Sequence, residues 1–211
     1  MAVPLDAIRA FHNAFRKDMA AMDAAAYSAA SGLDGLDLVS KRYIFFNEML
    51  AWHASGEEKY VFTELDKVAP LVAEAYQRDH RGLDSLSESL AIAVKSADPL
   101  VIARATSAYK FFSTFHLHKE EAHLYRIFNE RIPLPDQGAI IGKMSQEITP
   151  SRFPEVITWL FPLIGHDDRE NMIRIFQQVL PKPVFTMATG LIRDTIGNDW
   201  AELTRRVPDL K

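Results

Sequence analysis

Apolar residues recur at intervals of three and four over most of this chain, which is the period of an α-helix. The first such segment begins at Pro4, a residue favoured in the first turn of a helix, and continues to about Ala30. Strict alternation of apolar and polar residues, bounded by turn residues, is hard to find. We therefore predict an all-α protein.

Short breaks rich in Gly, Pro, Ser and Asp divide the first 131 residues into four long periodic segments. They predict helices over residues 4–30, 38–67, 70–95 and 99–131. Long helices joined by short loops favour antiparallel neighbours. We therefore expect an up-down-up-down four-helix bundle over residues 1–132.

Residues 133–211 contain shorter periodic segments with frequent prolines and glycines between them. We expect additional short helices here and interpret this part of the chain as a helical extension. Its many apolar residues need a surface to pack against. That surface is either a face of the bundle or a second copy of the chain in a homodimer.

Composition narrows the classes of partner. The chain has 211 residues, of which 48% are hydrophobic, enough for a substantial core. Its net charge of −4 and its scattered basic residues give no reason to expect nucleic acid or an anionic membrane as a partner. It lacks cysteine, a run of about 18 apolar residues and the features of a secretion signal. We expect a cytoplasmic protein.

Histidine and glutamate residues on the apolar helix faces carry the candidate chemistry. His53 and Glu57 are four residues apart, as are His116 and Glu120, and residues at this spacing share one face of a helix. The complete set has members on all four predicted bundle helices: His12, His53, Glu57, His80, His116 and Glu120. Brought together, four imidazoles and two carboxylates suit a pair of iron ions, with manganese as the alternative.

Each member taken alone has a structural explanation. A single histidine on an apolar face is usually an ordinary core residue, and a His-x3-Glu pair often lies on a helix surface. A buried carboxylate, however, costs on the order of several kcal/mol unless it is paired or bound to a metal. Two such pairs and two further histidines, in order on four helices, favour the metal site.

The helical phase also predicts the neighbours of this site. In a regular helix, Tyr60 shares the face of His53, and His123 shares the face of His116. Glu58 should face outward or sideways, and His118 should be solvated. Apolar residues expected to line the site are Phe11, Phe15, Phe46, Met49, Phe112 and Phe115.

The order of the set, H, H-x3-E, H, H-x3-E over residues 5–131, resembles the hemerythrin-like HHE cation-binding domain family. The segments HASGEEKYVF and HLHKEEAHLYRIF are similar to those of this family. The resemblance implies a non-haem di-iron site with an oxo or hydroxo bridge. It further implies that His12 and His53 serve one iron, His80 and His116 serve the other, and Glu57 and Glu120 bridge both.

The chain departs from the classical oxygen carriers of this family at Tyr76. They have a second histidine there, four residues before the one that His80 matches. One iron therefore lacks an imidazole, and water, Tyr60, Tyr76 or His123 are the candidates for its place. Alternatively, the tyrosines pack near the site and form hydrogen bonds without binding metal. The departure argues against simple reversible oxygen carriage.

Three functional hypotheses follow from the resemblance and the departure. The first is a di-iron protein that binds or reacts with O2, NO or peroxide, with catalase-like disproportionation of H2O2 as the preferred reaction. The second is a non-enzymatic sensor or binding protein for iron or oxygen that signals through its C-terminal helices. The third, a di-iron enzyme that oxidises an organic substrate, ranks last because paired Glu-x2-His motifs are missing from the required places.

Overall fold

The computed structural model describes residues 3–210, and within this range the protein is all-α, as predicted. The α-helices in chain order are α1 (Pro4–Ala30), α2 (Leu36–Gly56), α3 (Thr63–Val68), α4 (Val72–Ser96), α5 (Pro99–Lys119), α6 (Tyr125–Arg131), α7 (Leu134–Ser145), α8 (Phe153–Leu163), α9 (His166–Val179), α10 (Lys182–Ile196) and α11 (Asp199–Arg206). Single 3-10 turns lie at Pro150–Arg152 and Pro208–Leu210.

Two π-helical segments interrupt the long helices. The first π-turn, Glu57–Phe62, joins α2 to α3 without a break, and the second π-turn, Glu120–Leu124, joins α5 to α6 in the same way. A π-turn pairs backbone groups five residues apart instead of four, so it rotates every later side chain relative to the preceding helix. Each π-turn begins at one of the two glutamates predicted to bridge the metal ions.

The four long helices predicted from the sequence are present. The first predicted helix corresponds to α1, and the fourth corresponds to α5, the second π-turn and α6 taken together. Both begin and end at the predicted residues. Pro4 opens the first, and Asp98 caps the fourth by accepting hydrogen bonds from the amides of Leu100 and Val101. α4 begins slightly later than predicted, because Leu71 adopts a left-handed conformation with a φ of 71°.

The described chain forms two compact units, and the boundary between them falls inside α1, between Ala14 and Phe15. One unit extends from Phe15 to Pro133 and contains the rest of α1 together with α2–α6. Short connections join its helices. The first connection is tight, because a Cβ atom on Gly35 would lie 2.2 Å from the carbonyl oxygen of Ala25.

The other unit combines residues up to 14 with the helices from α7 onward. The ring of Phe11 packs against Trp159 of α8 with centroids 6.1 Å apart. The side chain of Asn13 donates a 2.8 Å hydrogen bond to Asp168 of α9. The start of α1 is therefore fixed to two of the C-terminal helices. The division into domains at residues 132 and 133 stays a prediction.

A buried arginine organises α9 within this unit. The Nε atom of Arg169 donates to the carbonyl oxygen of Phe161 at 2.8 Å, and Nη1 pairs with Asp199 at 2.7 Å. These contacts tie α9 to the end of α8 and to the start of α11. None of the helices between residues 3 and 210 has the length and apolar character needed to cross a membrane.

Candidate metal centre

Two glutamates lie at the centre of the Phe15–Pro133 unit with their side chains completely enclosed. The exposed fraction of Glu57 and of Glu120 is 0%, and that of His53, His80 and His116 is 2%. His12 is equally buried, on the part of α1 that belongs to the other unit. All six histidines and glutamates predicted from the sequence as metal ligands are therefore buried.

The ligand atoms form two overlapping groups inside this unit. One nitrogen or oxygen each from His53, Glu57 and Glu120 lies within 4.8 Å of the others. The same is true of Glu57, His80, His116 and Glu120. Both carboxylates belong to both groups, which is the arrangement expected of carboxylates that bridge two metal ions.

Glu57 directs its two oxygen atoms to different histidines. Its Oε1 lies 3.2 Å from Nε2 of His53, and its Oε2 lies 3.5 Å from Nε2 of His80. Glu120 faces the second group, with Oε1 at 3.1 Å from Nε2 of His116 and 3.7 Å from Nε2 of His80. The His-x3-Glu spacing therefore places each carboxylate beside its own histidine, and His80 joins the two.

Acidic side chains contact the Nδ1 atoms of two of the histidines, on the side of the ring away from Nε2. Nδ1 of His80 lies 2.8 Å from Oε1 of Glu58, which also pairs with Arg81. Nδ1 of His116 lies 3.5 Å from Oδ2 of Asp79, which pairs with Lys119. A carboxylate on Nδ1 orients the ring and leaves Nε2 to the metal. The sequence did not identify either role, since both acids act on a histidine of a neighbouring helix or turn.

Aromatic rings close the site. Phe62 stacks on His80 with ring centroids 5.4 Å apart and planes at 20°, and Phe15 meets His53 edge-on at 5.4 Å. Phe46 is buried against Phe15, as the sequence predicts. Phe115 does not line the site, because 58% of its surface is exposed; it borders a groove on the outer face of α5.

Because of the π-turns, the side chains that point toward the site after each glutamate differ from those predicted for a regular helix. Tyr125 lies five residues after Glu120, and its hydroxyl donates a hydrogen bond to Oε1 of Glu57. Burial and the charge of Glu57 hold the pKa of the Tyr125 phenol well above its ordinary value, so the hydroxyl keeps its proton. His123, predicted to face the site, is exposed, and Tyr60 is only partly buried. His123 does not belong to the two ligand groups.

Tyr76 is close to the site but its hydroxyl has a different partner. It donates to the carbonyl oxygen of Lys119 at 3.3 Å, and the ammonium of Lys119 lies 4.6 Å from the ring centre. Burial, followed by the charge of Glu120, raises the pKa of Tyr76 to about 12. This phenol therefore stays protonated, which fits the packed, hydrogen-bonding alternative better than phenolate ligation.

The charges of the site are mutually compensating. Burial raises the pKa of Glu57, but the adjacent His53 and His80 outweigh it and hold the pKa well below its ordinary value. Burial likewise lowers the pKa of His80, yet Glu120 and Glu57 raise it to about 10. The charges of Glu57 and His80 therefore favour each other's ionised form against the effect of burial.

The donor set fits metal ions. Oε2 of Glu57 and Nε2 of His80 are buried 3.5 Å apart, and within the described range neither atom has a hydrogen bond of normal geometry. Buried polar atoms without a full hydrogen bond are rare in folded proteins, and a cation bound by both atoms would satisfy them. Imidazole nitrogens with carboxylate oxygens are ligands that iron and manganese accept, whereas structural zinc sites usually take four ligands.

The helical unit and its buried histidine–carboxylate groups define a cation-binding helical protein. The profile of the Hemerythrin HHE cation binding domain matches residues 3–126, and the chain belongs to this family. The resemblance inferred from the sequence motif is thereby confirmed.

Curated relatives are larger proteins. Zinc finger protein BRUTUS of Arabidopsis thaliana is 24% identical over 178 residues, which cover 81% of this chain and 14% of that protein. A BRUTUS-like zinc finger protein of the same plant is 23% identical over 202 residues, covering 86% of this chain and 16% of that protein. The chain thus spans a small fraction of these relatives. No solved structure shows significant similarity to it.

Proposed function

We propose that this protein is a non-enzymatic di-iron protein that binds iron together with oxygen or a similarly small ligand, and that its C-terminal helices respond to the metal. The observation that carries the proposal is the sharing of Glu57 and Glu120 by two buried ligand groups. When bound, an iron pair supplies a redox-active centre that O2, NO or peroxide can reach. The chain supplies the ligands, their hydrogen-bonded supports and the apolar enclosure.

His12 is proposed as the ligand that completes the first group. Its assignment rests on its position in the family motif and on its complete burial. It also stands three residues before Phe15 on α1, and therefore on nearly the same helix face. The ring of Phe15 contacts the ring of His53.

A role in sensing is supported by the neighbours of His12 in sequence. Phe11 packs on Trp159, and Asn13 bonds to Asp168, so both flanking residues are held by the C-terminal helices. Metal binding by His12 would restrain the segment of α1 on which those helices pack. The metal state would then alter the stability of residues 134–210, which a partner protein could recognise.

A small ligand is supported by the space beside His80. A cavity with about 20 Å³ of water-accessible space borders this histidine and is also lined by Asn47, Ala54, Ser87 and Tyr109. About 10–15 Å³ is sufficient for one water molecule. The space suits a molecule of diatomic size next to His80.

Catalase-like disproportionation of H2O2 is not supported. The sequence favours that reaction on the assumption that a tyrosine replaces the missing histidine as a metal ligand. Tyr76 instead donates to a backbone carbonyl, and His123 is exposed and lies outside the ligand groups. The family match gives a cation-binding domain and no reaction.

Limited proteolysis with and without iron tests the proposal. We expect iron to protect cleavage sites within residues 134–210, and His12→Ala to abolish this protection. His118→Ala is the matched control, because His118 is an exposed histidine of the same chain and should leave the protection unchanged. Identical cleavage with and without iron would contradict a role of the C-terminal helices.

An assay of O2 evolution from H2O2 tests whether the protein is non-enzymatic. Iron-loaded protein should evolve no more O2 from H2O2 than the metal-free protein does. Rapid evolution of O2 that disappears with His116→Ala would contradict the non-enzymatic proposal and restore the catalase-like reaction.

A further inference from the structure

The two halves of the centre are nearly equivalent. His53, Glu57 and Phe62 follow one another at intervals of four and five residues, and His116, Glu120 and Tyr125 repeat these intervals. In both halves the interval of five spans a π-turn, which brings the aromatic residue back toward the site.

A single hydroxyl group breaks this equivalence. Phe62 and Tyr125 occupy corresponding positions, but only Tyr125 carries a donor, and it donates to Glu57 from the opposite half. The phenyl ring of Phe62 has no hydroxyl group with which to donate a hydrogen bond. The two corresponding aromatic positions therefore differ in hydrogen-bonding capacity, although the sequence motifs match.

The hydrogen bond between Tyr125 and Glu57 lies in surroundings that strengthen it. Glu57 is completely buried and Tyr125 is 6% exposed, so water cannot compete for either group. A hydrogen bond to an ionised acceptor in such surroundings is stronger than a neutral one in water. The accepting atom is Oε1, the oxygen that faces His53.

Building on the proposed di-iron function, we propose that Tyr125 is a positioning residue that makes Glu57 a weaker electron donor to the metal pair and thereby raises the reduction potential of the pair. The hydroxyl withdraws electron density from Oε1, so Glu57 stabilises the more positive, oxidised metal less well. The reduced state is favoured as a result. Tyr125 fixes the carboxylate without itself binding metal.

Spectroelectrochemical titration of the iron-loaded protein tests this proposal, with Tyr125→Phe as the variant. Phe62 shows that a phenyl ring is accommodated at the corresponding position, so the variant should fold and bind as much iron as the wild type. Loss of an outer hydrogen bond at a metal site typically lowers metal affinity or activity by about 10–100-fold, and the shell around the site also tunes its redox potential. We expect the equilibrium between Fe3+ and Fe2+ to shift about tenfold toward Fe3+, about 59 mV lower for one electron.

Tyr43→Phe is the matched control. Tyr43 is 9% exposed and its hydroxyl bonds to the carbonyl oxygen of Ser87 at 2.7 Å instead of to a ligand. This variant loses a buried hydroxyl of the same kind and should keep the wild-type potential.

The outcomes separate this inference from the proposed function. An unchanged potential in Tyr125→Phe, or an equal shift in Tyr43→Phe, overturns the role of Tyr125 while iron binding stands. Loss of iron from Tyr125→Phe would show a ligand or structural role and would also overturn it. Absence of iron from the wild type overturns the proposed function together with this inference.

Discussion

Nδ1 of His80 lies 2.8 Å from Oε1 of Glu58, so a carboxylate of the first π-turn orients an imidazole of α4. Glu58→Gln removes the charge that holds the ring while keeping the size of the side chain. We expect metal affinity to fall about 10–100-fold, the usual effect of losing such a support. The measurement is competition with a chelator of known affinity.

Glu64→Gln is the control for this variant. Glu64 lies on α3 and pairs at the surface with Lys67, at 2.7 Å. Its replacement should leave metal affinity unchanged. Equal affinities for the Glu58 and Glu64 variants would remove the role assigned to Glu58.

His116 and His118 offer a direct test of the helix face. His116 is 2% exposed and belongs to the second ligand group, whereas His118 is exposed. His116→Ala should lower the iron content of the purified protein, and His118→Ala should not, as measured by elemental analysis. Comparable loss of iron from both variants would mean that the assigned faces of α5 are wrong.

Metal affinity should rise with pH. At neutral pH the metal-free protein holds a proton on His80, because Glu120 and Glu57 outweigh burial and raise its pKa to about 10. A metal binds only the neutral imidazole, so binding displaces this proton. Each displaced proton should strengthen binding about tenfold per pH unit. Optical titration with Co2+ at pH 6, 7 and 8 measures this dependence, and a flat profile would contradict it.

Two glycines should respond in opposite directions to alanine. At Gly35 an added Cβ would lie 2.2 Å from a backbone oxygen of Ala25, so the connection has to shift. We expect Gly35→Ala to lower the free energy of unfolding by about 1–3 kcal/mol. Gly142 lies within α7 with open space around it, and Gly142→Ala should raise that free energy by about 0.5–1 kcal/mol. Urea denaturation of the metal-free protein measures both, and destabilisation of equal size would contradict the structural explanation.

Much of the fold follows from local signals in the sequence. Pro4 and Asp98 set the starts of the first and fourth long helices through backbone chemistry that depends on a few neighbouring residues. The His-x3-Glu pairs are equally local, since α2 and α5 remain regular up to Glu57 and Glu120. These parts of the prediction needed no knowledge of tertiary contacts.

The π-turns could not be predicted in this way. A rotation of about 100° per residue places Tyr125 on the side of the helix opposite to His116, and His123 on the same side. The second π-turn reverses this result: Tyr125 is buried against Glu57, and His123 is exposed. The one available signal was the repeated interval of five residues between a buried glutamate and an aromatic residue.

The supporting acids were missed for a different reason. Asp79 on α4 contacts His116 on α5, and Glu58 on the first π-turn contacts His80 on α4. Such pairs depend on how helices pack against each other, so the spacing of residues within one segment cannot predict them. The predicted exposure of His118 was correct because it depended only on the regular part of α5.

In the proposed function, buried histidines and two shared carboxylates hold two iron ions in each chain. Elemental analysis of the wild-type protein purified from iron-replete cells, with protein concentration determined by amino-acid analysis, tests it most directly. We predict about two iron ions per chain, and an optical spectrum with near-ultraviolet bands and without a phenolate band in the visible region. A folded, stable protein that contains no iron would contradict the account.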